Sequence, residues 1–192
     1  HSVLDTAEQI ERLGAAKVTV IDVDREGCVD PTAVIEAVHD DTMLVSVMHA
    51  NNEVGTVNDI AQIAAAVHER APHAVVHTDA VQSTAHLGLY PGGVDVKLLG
   101  VDLLTLTGHK LYGPRGAAAL YVRAGTPLSP QILGGTQERR LRAGTEDTPA
   151  IVGLAAAIEL AAERREADLA HERALQERLI TELPQRVPML AI

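Results

Sequence analysis

Tryptophan and phenylalanine are absent from this 192-residue chain, and three tyrosines are its only aromatic side chains. A core must therefore be filled by Ala, Val, Leu and Ile. Apolar residues make up 46% of the chain, enough for one domain with a real core. Cysteine occurs once, as Cys28, which excludes an intrachain disulfide and suits a reducing cytoplasm. No apolar run approaches the length of a membrane span, and no secretory or transit segment is visible. Positive charge is scarce: 16 Lys and Arg against 26 Asp and Glu give a formal net charge of −10, which argues against nucleic acid or an anionic membrane as partner. An initiating Met is also missing. The chain opens at His1 and ends inside an apolar phrase, Val187 to Ile192, so it reads as a fragment of a longer protein. Neither an internal repeat nor a low-complexity linker divides it.

What is present alternates helix and strand. Leu4, Ala7, Ile10 and Leu13 recur at helical spacing, and Gly14 closes that helix. Lys17 to Asp22 reads as a short strand, and Arg25 to Cys28 as a turn. Asp30 and Pro31 are the N-cap and first position of a helix running to about His39. Met43 to Met48 is an apolar strand ending in the polar loop His49 to Gly55. Asp59 to His68 is the next helix, Val75 to Thr78 a strand, and Gly88 to Asp95 a loop. Strands Leu103 to Thr107 and Ala117 to Val122 follow, then a Gly- and Arg-rich stretch from Gly134 to Gly144. Ala150 to Leu183 reads as one long helix with a break or bend. The pattern predicts an α/β fold with a mostly parallel sheet flanked by helices.

The stretch Leu103 to Gly116, LLTLTGHKLYGPRG, organises the rest. Its apolar strand stops at Gly108-His109-Lys110, so a lysine sits where an inner strand ends, and in α/β proteins ligands bind at such ends. A lysine held there against apolar walls is a nucleophilic amine. Lys110 is therefore read as forming a Schiff base with pyridoxal phosphate. A phosphate loop of the nucleotide-hydrolase type is excluded, because that loop needs Ser or Thr after its lysine and Leu111 follows Lys110.

Two other strand ends carry polar residues: Asn51-Asn52 after the 43–48 run, and Asp79 with Gln82 after the 75–78 run. Pyridoxal phosphate needs an amine, a carboxylate for the pyridine nitrogen, a polar group at the phenolic oxygen and donors for the phosphate. Lys110, Asp79, Gln82, and Thr107 with His109 match those four needs. Each residue has a structural reading as well. Asp79 fits the N-cap of a helix beginning at Ala80, and Gln82 a solvated helix position. Asn51 and Asn52 fit turn formers, and His109 a structural histidine. The joint occurrence at successive strand ends is what points to function. His73 and His77, four apart, fit a metal pair on a helix, but 74–76 reads as strand, and no metal is expected.

The segments MHANNEVGTV, HTDAVQS, TGHKLYGPRGAAALYVR and GGTQERRLRAGTEDTPAIVGLAAA closely resemble the cysteine desulfurase family, pyridoxal phosphate enzymes of the aminotransferase-like fold, with selenocysteine lyases as close relatives. The resemblance runs from about Ser2 into the helix after Ala150. It implies that Lys110 carries the cofactor and Asp79 pairs with the pyridine nitrogen. It assigns Gln82 to the phenolic oxygen, and Thr107 and His109 to the phosphate. Asn52 lies near the phenolic oxygen and the substrate carboxylate. Thr145 reaches the phosphate of a partner subunit, which implies a homodimer. Residues 1–149 then form part of the cofactor-binding large domain, and 150–192 a connecting helix and the start of a small domain. The implied reaction converts L-cysteine to L-alanine and hands persulfide sulfur to an acceptor protein, as in iron–sulfur cluster assembly. The alternatives are a selenocysteine lyase or a non-catalytic cofactor-binding and dimerisation fragment.

Several family parts lie outside these 192 residues. The histidine that stacks on the cofactor falls one position before His1, or is His1 itself if the register slips by one, and the threonine-bearing glycine loop precedes it. The catalytic cysteine loop and the substrate-carboxylate arginine follow later. Cys28, in an early turn, is not the persulfide cysteine. The chain departs from the family at Thr136, where a third glycine is common, at Arg115, where lysine is common, and by a Pro-Gly insertion near Pro91.

Overall fold

The structure, a computed structural model, describes residues 2–87 and 94–187. His1, the Pro91 insertion and most of the 88–95 loop lie outside them. In chain order the elements are α1 (Leu4–Arg12), α2 (Pro31–Ala37), β1 (Leu44–Met48), α3 (Ile60–Arg70), β2 (Val75–Asp79), α4 (Val96–Leu99), β3 (Leu103–Thr107), β4 (Ala118–Val122) and α5 (Thr148–Arg186). The predicted cap at Asp30 holds: it accepts from the Thr32 amide ahead of Pro31. Asp59, read as the first residue of a helix, is instead the N-cap of α3 and accepts from the Gln62 amide.

The four strands form one sheet in the order β1-β2-β3-β4. The first three are parallel, with Met48 opposite Asp79 and Asp79 opposite Thr105. The return through Gly113 to Gly116 makes β4 antiparallel to β3. The carboxyl ends of β1, β2 and β3 therefore share one edge. Alternation along each strand sends Val76, Thr78 and Leu104 to a buried face, where Ile60, Ile63, Ala64 and Val67 of α3 and Val34 of α2 meet them. The apolar side chains of that core are aliphatic apart from a partly buried Tyr121 packed at its margin.

Two expectations fail. Residues 17–22 form no strand; only an isolated antiparallel bridge joins Val23 to Val29. Their Val and Ile alternation suits a pleated surface, but a strand needs a backbone partner, and among the described residues β1 pairs with β2 alone. The second failure is the break in the long helix. Helix α5 runs unbroken for 39 residues, with Pro184 only in its last turn. From 154 to 183 it has no Gly or Pro and is rich in Ala, Glu, Arg and Leu, the strongest helix formers.

A polar knot closes the amino-terminal edge of the sheet. Asp102, just before β3, is buried. Its Oδ2 accepts from the Val76 amide at 2.8 Å and lies 2.9 Å from His68 Nε2 on α3. Its Oδ1 lies 3.4 Å from Arg123 Nη1 just after β4. One carboxylate thus joins α3, β2 and the end of β4. Asp102→Ala removes three partners at once and should lower stability by about 2–3 kcal/mol. Urea unfolding measures this, and a loss under about 0.5 kcal/mol would show that the knot is not structural.

Candidate active site

Asp79 is the last residue of β2. Its Oδ1 accepts from the Val81 amide at 3.0 Å, as the capping reading anticipated, while no hydrogen bond to Oδ2 occurs among the described residues. The segment after it is a set of tight turns, not a helix. Ser83 and Thr84 both return backbone bonds to the Ala80 carbonyl, and the Ser83 and Thr84 hydroxyls bond the same carbonyl, competing with helix propagation. Gln82 is half-buried within those turns.

Thr107 is the last residue of β3, and a single 3-10 turn, Gly108–Lys110, follows it. Thr107 Oγ1 lies 3.0 Å from His109 Nδ1 and 3.4 Å from the Ala117 carbonyl. When the hydroxyl donates to Nδ1, the imidazole proton sits on Nε2, which becomes an outward donor suited to an anion. His109 and Lys110 are both exposed, so the apolar walls expected around Lys110 are not supplied by the described residues.

The turn is placed by close packing. The Gly108 carbonyl accepts from the amides of Leu111 and Gly113 at 2.8 and 2.9 Å. A Cβ on Gly113 would stand 2.9 Å from Ala157 Cβ and 3.0 Å from that same carbonyl. Pro114 seats against Gly153, and Leu154 and Ala157 of α5 cover Leu111 and Ala117. Further along α5, the Arg165 guanidinium donates to the Thr84 and Ala85 carbonyls at 3.3 Å. One helix therefore holds both the Lys110 turn and the segment that follows Gln82.

In the loop after β1, Asn51 is the turn former, its Oδ1 accepting from the Glu53 and Val54 amides at 2.8 and 3.1 Å. Asn52 is left exposed at the turn. Thr145 is exposed in the segment leading into α5. Cys28 belongs to a turn built on Asp24, whose Oδ1 accepts from the Glu26 and Cys28 amides. Desolvation, with the charges of Asp24 and Glu26 adding to it, raises its thiol above the ordinary value, so it is a weak nucleophile.

His77 has a place that the sequence reading missed. Its Nδ1 lies 2.8 Å from Ser46 Oγ and its Nε2 2.9 Å from Thr105 Oγ1. Both ring nitrogens are thus used within the sheet, which argues against a metal pair with His73. Burial lowers its pKa, against a smaller opposing pull from Asp79. A cleft of about 660 Å³, lined by His68, His73, Asp102 and Arg123, lies at the opposite edge of the sheet, where His68 and Arg123 already engage Asp102.

The family model for class-V aminotransferases matches residues 1–191. The chain belongs to the class-V aminotransferase family. It is 42% identical over 187 residues to a cysteine desulfurase IscS of Dictyoglomus turgidum, covering 97% of this chain and 45% of that protein. It is 49% identical over 166 residues to a putative cysteine desulfurase IscS 1 of Bacillus subtilis, covering 86% of this chain and 42% of that protein. A solved NifS-like protein superposes with a TM-score of 0.89 at 36% identity, covering 96% of this chain and 49% of that one. The structure of SspA in complex with cysteine matches with a TM-score of 0.76 at 41% identity, covering 83% and 44%. The chain thus spans less than half the length of these relatives. Class-V aminotransferases of this kind depend on pyridoxal phosphate. The donor set on the sheet edge fits that group: a carboxylate ends β2, and a hydroxyl, an imidazole and an amine follow one another at the end of the adjacent β3.

Gly113→Ala forces the Lys110 turn away from α5 and should cost about 1–3 kcal/mol, read as a fall in thermal midpoint; an unchanged midpoint would mean that the contact relaxes freely. A pH effect follows from His77. The unfolded chain takes up its proton near 6.5, the folded chain only at lower pH, so between those values the unfolded state binds more protons. Stability contributed by neutral His77 is complete above about pH 6.5 and is lost as pH falls through the folded value. His77→Gln should flatten that part of the stability curve, and a curve parallel to wild type would refute the assignment.

Proposed function

We propose that this chain is the cofactor-binding part of a cysteine desulfurase, a pyridoxal phosphate enzyme that converts L-cysteine to L-alanine and passes the sulfur, as persulfide, to an acceptor protein. The observation that carries this is the succession of Asp79, Thr107, His109 and Lys110 on two adjacent parallel strand ends. The likeness to desulfurases over nearly the whole chain supports the choice of substrate.

When bound, pyridoxal phosphate supplies an electron sink that stabilises negative charge at the substrate α-carbon. Lys110 Nζ would hold the cofactor, and its free amine would move the proton at the substrate α-carbon. Asp79 holds the proton of the pyridine nitrogen. Gln82 and Asn52 orient groups at the phenolic oxygen, and Asn52 also serves the substrate carboxylate. Thr107 and His109 hold the phosphate. The attacking thiolate comes from a cysteine other than Cys28.

Thr145 contributes to the phosphate site of a second copy, so the enzyme is a homodimer. Its exposure, and that of Ile151, Val152 and Ile158 on the adjoining turns of α5, support this. Residues 1–149 form the large-domain part and 150–192 lead to a small domain; in support, the buried residues of α5 are Leu154 and Ala157 near its start. A cytoplasmic location suits the single cysteine, and no described helix is long and apolar enough to cross a membrane.

Borohydride reduction in the presence of pyridoxal phosphate, followed by peptide mapping, should place the label on Lys110. In the full-length protein, Lys110→Ala should cut alanine release from cysteine by at least about a hundredfold. Label scattered over other lysines, or unchanged alanine release, would defeat the reading.

A further inference from the structure

The sheet face opposite α3 carries a polar seam that strand pairing does not require. Ser46 of β1, His77 of β2 and Thr105 of β3 meet side chain to side chain at 2.8 and 2.9 Å. The backbone ladders already join these strands, so the seam adds lateral definition at the cost of desolvating three polar groups. It stands directly below the candidate site. His77 is two residues before Asp79 on the same face, and Thr105, which bonds the His77 ring, is the residue paired opposite Asp79. Two residues beyond Thr105 is Thr107, the start of the phosphate-binding group.

We propose that His77 is a positioning residue for Asp79: its imidazole, clasped between Ser46 and Thr105, fixes the lateral relation of the three strand ends and so the aim of the Asp79 carboxylate at the cofactor ring. This rests on the pyridoxal phosphate reading above. The chemistry suits the task. A neutral imidazole has one donor and one acceptor nitrogen, and hydroxyls can serve either, so the seam is satisfied in both tautomers. The seam also brings no cation to Asp79. The partners of the His77 ring on β1 and β3 are hydroxyls, Asp79 is the charged group acting on His77, and burial keeps the imidazole uncharged at neutral pH. The carboxylate is thereby left to the ring nitrogen.

The test uses the full-length protein and two readouts, pyridoxal phosphate affinity by equilibrium dialysis and the visible absorption spectrum of the bound cofactor. Asp79→Asn defines the spectrum of a cofactor whose ring nitrogen has lost its carboxylate. His77→Leu should weaken binding about tenfold and shift the spectrum toward that of Asp79→Asn. Thr105→Val should move both readouts the same way, less far, and keeps the comparison available if His77→Leu fails to fold. His77→Gln, which retains a donor and an acceptor, should restore most of the affinity and the wild-type spectrum. Wild-type spectra in both His77→Leu and Thr105→Val, even with affinity reduced in step with thermal stability, would reduce the seam to a structural tie and overturn the proposal. Failure of the cofactor reading itself looks different: Asp79→Asn would then bind with unchanged affinity and spectrum, and the positioning role would fall with it.

Discussion

The parallel pairing of β2 with β3 is the constraint on which the molecule depends. Asp79 and Lys110 are 31 positions apart by number, and no local rule brings them together. The ladder that sets Asp79 opposite Thr105 does so, because it makes two strands end on one edge with a fixed stagger. The carboxylate then stands beside the strand whose next residues are Thr107, Gly108, His109 and Lys110. Pairing of β1 with β2 extends the edge and hangs the Asn52 loop from it. Ligand sites at the carboxyl ends of parallel strands arise from this geometry.

The ladder is held from both sides, by different chemistry. On one face the aliphatic side chains of α3 and α2 cover the sheet. Lacking Phe and Trp, that contact relies on Ile, Val, Leu and Ala packed at close range. On the other face the strands are tied by Ser46, His77 and Thr105. At the back edge Asp102 ties β2, α3 and the end of β4. At the site edge α5 clamps the Lys110 turn through two glycines and reaches the 84–85 carbonyls with Arg165. Rigid support from regular elements is what a binding constellation of single side chains needs.

Much of this was legible in the residues. The cap at Asp30, the glycine and proline turns, and the apolar runs of β1, β2 and β3 are local signals, and each produced its element within a residue or two. The candidate site was legible for the same reason: its polar groups sit just past those runs. The errors mark where local signals stop. Residues 17–22 have the composition of a strand and no partner. Ala80 to Leu87 follow a capping aspartate, yet Ser83 and Thr84 turn their hydroxyls back on the Ala80 carbonyl. Lys110 lies among apolar neighbours in sequence and is exposed in space.

The sequence by itself determined most of the helices and strands, that the apolar core is aliphatic, and which side chains have the chemistry for pyridoxal phosphate. Those properties follow from short-range periodicity, capping and side-chain type. Only the tertiary structure decided that His77 spends its ring on two hydroxyls from neighbouring strands. It also decided that Asp102 is a buried junction, and that Gly113 has room for no Cβ beside Ala157. Each depends on atoms tens of residues away meeting at contact distance, and that information resides in the register of the sheet and the docking of α5, not in any window of the chain.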